Sequence, residues 1–111
     1  MNEEHSGHLR NNRRSLWLHQ AIAEKLRETP DVVLAKAKEE IGWLRQDPHT
    51  RWYAEQWEAL CTLPVTELAV KISEDSEEMA VLRQCTPFVG VLSPAERWAI
   101  YRAFRKGEET G

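Results

Sequence analysis

A chain of 111 residues fits one domain near the commonest domain size. Its 41% hydrophobic content and mean hydropathy of -0.60 suit a globular protein, and no apolar run approaches the roughly 18 residues that cross a bilayer, so a membrane-spanning class is excluded. A net charge of -3 argues against a protein whose whole surface grips nucleic acid.

The N-terminus, MNEEHSGHLRNNRR, has no apolar core of the kind a secretory signal needs. Residues 1–13 carry no period and read as a flexible polar and basic arm. A first helix is expected from about Ser15 to Glu28, with Leu18, Ile22 and Leu26 repeating every four residues and Trp17 and Ala21 on an adjoining strip. TPDVV restarts the chain, with Thr29 as N-cap, Pro30 at the first helical position and Asp31 in the first turn. The second helix sets Val33, Ala37, Ile41 and Leu44 on one face and ends before Pro48.

A third helix covers about Thr50 to Leu63, with Tyr53, Trp57, Leu60 and Cys61 inward. After Pro64, the residues Val65, Leu68, Ala69 and Ile72 mark a short fourth helix. SEDSEE offers Ser73, Asp75 and Ser76 as caps for a fifth, which carries Met79 and Leu82 and stops near Cys85. Ser93, Pro94 and Glu96 form a capping box that starts a sixth helix, expected to run to Lys106 and end at Gly107. No segment alternates long enough to be a strand. The expectation is an all-α compact bundle of five to six short helices over residues 14–106, between the arm and a short tail at 107–111.

The string LRQCTPFVGVLSPAERW, residues 82–98, is apolar where connections are usually polar. Pro87 stops the fifth helix, and Gly90 permits a turn that other residues would resist. Phe88, Val89, Val91 and Leu92 then have two fates that are not exclusive. They lid their own helices, or they lie exposed as a patch for another protein. In the first case Arg83 and Gln84, both donors, are suited to satisfy the loop backbone.

Candidate chemistry is sparse. Cys61 and Cys85 read as free buried thiols, not as a disulfide framework or as nucleophiles. His5 and His8 lack the second pair of ligands that zinc needs, so neither metal nor cofactor is expected. His19 reads as a half-exposed helix histidine. The acidic clusters fall at helix starts or on solvent faces, and an enzyme would require a pocket gathering His19 with acids that no spacing predicts. Arg102, Arg105 and Lys106 suit the negative end of the last helix, whereas Arg10, Arg13 and Arg14 gather at the positive end of the first. That group suits DNA phosphates or an acidic partner. Trp17 and Trp98 are candidate interface anchors.

The segments SLWLHQAIAEKL, WYAEQWEAL and LRQCTPFVGVLSPAERWAIYRAF resemble small bacterial proteins that serve as the smaller partner in two-gene toxin–antitoxin loci. The matching positions are Leu18, His19, Trp57, Glu58, Leu82, Arg83, Gln84, Pro87, Phe88, Gly90, Val91, Leu92, Ser93, Glu96 and Arg97. The resemblance implies a cytoplasmic antitoxin that neutralises a toxic enzyme by direct binding. Two toxin chemistries stay open, a zeta-like kinase and a nucleotidyltransferase, as does self-association. The tail after Lys106 is too short to be a toxin-binding tail and no DNA-binding fold is visible, which puts promoter autoregulation in doubt. Arg10, Arg13, Arg14, Trp17, Arg83, Gln84, Phe88, Val89, Arg97 and Trp98 are the expected partner-binding residues. A DNA-binding regulator using the same arm is the alternative.

Overall fold

The structure, a computed structural model, describes the backbone of residues 3–110 and the side chains of residues 10–108. Among the described residues six α-helices follow in chain order: α1 Glu3–Glu28, α2 Pro30–Gln46, α3 Arg51–Leu60, α4 Val65–Ile72, α5 Glu77–Arg83 and α6 Pro94–Thr110. A 3-10 turn, Val89–Val91, joins the last two. No strand occurs among the described residues. The fold is an all-α bundle.

Each helix buries the stripe its period marks. Ile22 and Leu26 of α1, Val33, Ala37 and Ile41 of α2, and Leu68, Ala69 and Ile72 of α4 are all within a few per cent of full burial. They enclose Trp57 of α3, whose indole N–H donates to the Leu82 carbonyl at 3.1 Å. A buried tryptophan needs that partner to avoid leaving its one polar atom unsatisfied. Within this bundle α1 lies along α4 and α2 along α3.

Several boundaries differ from expectation for reasons of local chemistry. The arm is not irregular at its basic end: Arg10, Arg13 and Arg14 stand on α1, which begins twelve residues before Ser15. Residues 1 and 2 of the expected arm lie outside the described residues, as do the side chains of His5 and His8. Thr29 occupies the N-cap position of α2 without capping it; its hydroxyl donates instead to the Lys25 carbonyl at 3.1 Å, closing α1. At α5 the cap is Ser76, whose Oγ accepts the Met79 N–H at 3.2 Å. α6 runs through Gly107 to Thr110. Gly107 does not end it, and a Cβ there would sit 3.7 Å from the Trp17 ring, an ordinary contact. Gly90 has no positive φ and open space around its Cα, so the turn does not demand glycine.

The start of α6 is as the sequence reads. Ser93 Oγ accepts the Glu96 N–H at 3.1 Å, and Glu96 Oε1 accepts the Ser93 N–H at 2.9 Å.

Candidate binding surface around the first and last helices

The apolar loop divides between adjacent residues. Phe88 is 0% exposed and meets Trp57 edge to face at 5.5 Å between ring centroids. Its expected role as a partner anchor is therefore corrected: the ring is core, packed with the Trp57 indole among the buried residues of the bundle. Val89, next along the turn, is 45% exposed.

His19 is also corrected, from half-exposed to buried. Its Nδ1 lies 2.8 Å from the Ser15 carbonyl oxygen and its Nε2 lies 2.8 Å from Thr86 Oγ1. A carbonyl can only accept, so Nδ1 carries the hydrogen and Nε2 accepts from the threonine hydroxyl. Thr86 Oγ1 accepts in turn from the Phe88 N–H at 3.2 Å. The loop is thus tied to α1 through one neutral imidazole. Burial pushes the His19 pKa down to about 4, against the raising effect of the Ser15 carbonyl and with help from the Arg83 charge.

Arg83 is 4% exposed, so it presents no face for a protein partner to cover, although it borders the clefts beside α1. One guanidinium nitrogen donates to the carbonyls of Ile72 at 3.2 Å and Glu74 at 2.8 Å, which fastens the α4–α5 turn. Its Nε–H is buried with no partner. The expectation that Arg83 serves the loop backbone is replaced by this upstream attachment.

The arginines of α1 are partly engaged with α6. Arg10 Nε lies 2.8 Å from Glu108 Oε2, and its guanidinium carbon is 6.0 Å from the Phe104 ring centroid. Arg14 stands over Tyr101 at 5.2 Å, within cation–π range. Trp17 meets Phe104 edge-on at 5.3 Å and keeps 39% of its surface. Arg13 is exposed beside a cleft that also carries Asp75 and Glu77.

On the far side of α6, Trp98 is 65% exposed and touches Tyr101 edge-on at 6.4 Å. Ala95, Ala99, Arg102 and Ala103 share that outer face at helical spacing and are exposed. The described acids of α6 turn the other way: Glu96 pairs with Lys25 at 2.8 Å and Glu108 with Arg10. Lys25 and the Ser93 cap hold the Glu96 carboxyl down to about 2.

A separate cleft of about 430 Å³ between α2 and α3 holds Lys38, Arg45, Glu58 and Cys61. An Arg45–Glu58 ion pair stands in it. Burial pushes the Cys61 thiol up to about 11, so it stays protonated and a poor nucleophile at neutral pH. Among the described residues no group of three or more His, Cys, Asp or Glu is placed to hold a metal.

Of the ten expected residues, Arg14, Arg83, Gln84, Val89 and Arg97 border one region between α1, α5 and the loop. Arg10 and Trp17 are engaged along the α1–α6 seam, Phe88 is core, and Trp98 faces away on the outside of α6. The sequence reading missed Thr86, whose only signal is its place before Pro87. No helix of the structure is long and apolar enough to cross a membrane, among the described residues. No family model, curated protein or solved structure matches this sequence.

Proposed function

We propose that the chain is an antitoxin-type interaction protein that neutralises a toxic enzyme by direct binding, using the outer face of α6 as its docking surface. The observation that carries this reading is Trp98, 65% exposed on a helix whose described acids are both engaged elsewhere. A large rigid ring flanked by Arg102 and small alanines has the chemistry of an interface anchor, since a few aromatic and arginine side chains carry most of the energy in such contacts. The cations at this edge favour an acidic surface on the partner. The open side of Trp17 extends the same chemistry.

The test is capture of the partner from the native cytoplasm by the tagged chain, beside a Trp98→Ala variant. One stoichiometric enzyme should come down, and the variant should bind it at least tenfold more weakly while its circular dichroism and melting temperature stay unchanged. Equal capture by the variant sinks the assignment of the surface. A second reading, a DNA-binding regulator, draws on Arg13, Arg102 and Arg105, exposed on the same pair of helices. It requires binding to duplex DNA that weakens steeply with salt.

A further inference from the structure

Arg83 lies under α1 with clefts on either side of it. One, about 230 Å³, is bordered by His19, Arg83, Gln84, Arg97 and Tyr101 with an aliphatic wall of Leu18 and Ile22. The other, about 460 Å³, is bordered by Asn11, Asn12, Arg14, Ser15, Arg83 and Gln84. They share Ser15, Arg83 and Gln84, and Arg14 of the larger lies 5.2 Å from the Tyr101 ring of the smaller. The two are lobes of one concavity.

Its charge is one-sided. Arg14, Arg83 and Arg97 border it, and no described lining residue is acidic. Among the described residues no ion pair holds any of the three guanidinium groups. Asn11, Asn12, Ser15, Gln84 and Tyr101 of the lining can donate hydrogen bonds, while His19 and Thr86 are bonded to each other. The neighbouring cleft on the α5 side differs, for Asp75 and Glu77 stand in it with Arg13. Asp75 and Glu74 act on Arg83 from that side, yet burial still lowers its pKa. Burial costs this guanidinium hydration, its Nε–H has no partner and no carboxylate bonds it directly, so an anion in the adjoining clefts offsets part of that cost.

We propose that this concavity binds a small oxyanion, a phosphate monoester or a carboxylate, that carries a short apolar body. The oxyanion sits among Arg14, Arg83 and Arg97, where planar guanidinium forks match its geometry. The body lies on Leu18, Ile22, Val89 and Leu92. A lobe of about 230 Å³ is smaller than the roughly 300–1,000 Å³ of drug-sized pockets, which limits the body to something like a single ring. This inference is independent of the protein-docking reading, whose surface is the opposite face of α6.

The experiment is calorimetric titration of the full chain, without any partner, with phenyl phosphate, benzoate and inorganic phosphate. Phenyl phosphate or benzoate should saturate one site, and whichever is tighter identifies the oxyanion. Arg97→Gln and Arg14→Gln should each weaken that binding at least tenfold. Arg27→Gln, the same charge change on the exposed far end of α1, should stay within twofold. The Arg83 Nε–H resonance should shift on saturation in the wild type, which reads the buried group without mutating a residue that fastens the α4–α5 turn. No saturation, an equal loss from Arg27→Gln, or an unmoved Nε–H resonance overturns the site. Inorganic phosphate binding as tightly as phenyl phosphate overturns the apolar half.

Discussion

The α2–α3 hairpin and the α1–α6 pair are both two helices laid side by side, yet different forces hold them. Between α2 and α3 the inner contact is apolar, with Val33, Ala37 and Ile41 sharing a core with Ala54 and Trp57, and the Arg45–Glu58 pair stands only at its outer edge. α6 adds only half-buried Ile100 to that core; Phe104 is buried, but against Trp17 and beneath Arg10. Polar contacts of the seam include Arg10–Glu108, Lys25–Glu96 and Arg14 over Tyr101. Exposed ion pairs of this kind contribute little and fade with salt. The lesson is that α2–α3 is built for stability, while α6 is held by contacts that leave its outer face free and that a partner or a solute can reinforce.

The largest way to break the comparison is Trp57→Ala. It empties the centre of the core, leaves the Leu82 carbonyl without its donor and takes the ring from under Phe88. The expected cost is about 3–5 kcal/mol, against a total stability of roughly 5–15 kcal/mol for a domain of this size. Urea denaturation followed by circular dichroism checks it, and a loss below about 1 kcal/mol would mean that the indole is not core. Trp17→Ala, at the α1–α6 seam, should cost clearly less in the same assay.

What could be read from the sequence follows the same division. The stripes of α2 and α4 and the Ser93–Glu96 box were legible because both members of each contact lie within a few residues, where helical spacing dictates the geometry. The α1–α6 seam was not, since the groups that order Arg10 and Arg14 lie at the other end of the chain. A polar segment with no internal period then looks like an arm. Phe88 and Val89 are equally apolar, and no period in a three-residue turn says which one faces in; Trp57 decides that from α3. His19 looked ordinary because its partner Thr86 is 67 residues away. The arginines of the concavity were picked out singly, but their meeting around Ser15 and Gln84 depends on the tertiary fold.

Acid should separate the two regions next. His19 has a folded pKa near 4 against an ordinary value of 6.5, so the unfolded chain takes up the proton first. Stability that is full above pH 6.5 should fall as the pH drops toward 4, by roughly 3 kcal/mol over that window. Protonation also puts a hydrogen on Nε2, so the Thr86 hydroxyl can no longer donate there, and the tie between α1 and the loop reverses or opens. Glu96, Glu74 and Glu108 have lowered pKa values, so their contribution is lost only below the ordinary carboxylate value of 4.5. The two windows therefore part near pH 4.5. Denaturation midpoints across pH 4.5–7 for the wild type and His19→Gln make the check: a sloping wild type beside a flat variant assigns the effect to this ring, and parallel slopes would remove it.

The smallest effect belongs to the cap of α6. Ser93→Ala removes the acceptor for the Glu96 N–H and leaves that carboxylate with only the Ser93 backbone N–H and Lys25. N-cap losses of this type cost about 1 kcal/mol. Because α6 meets the rest of the bundle chiefly through α1, that cost should appear as local fraying rather than as a shift of the whole transition. Amide exchange should quicken over the first turns of α6 while the amides of α2 and α3 keep their protection. Uniform quickening in all three helices would show instead that α6 unfolds with the core, and the contrast between the two helix pairs would then be one of composition alone.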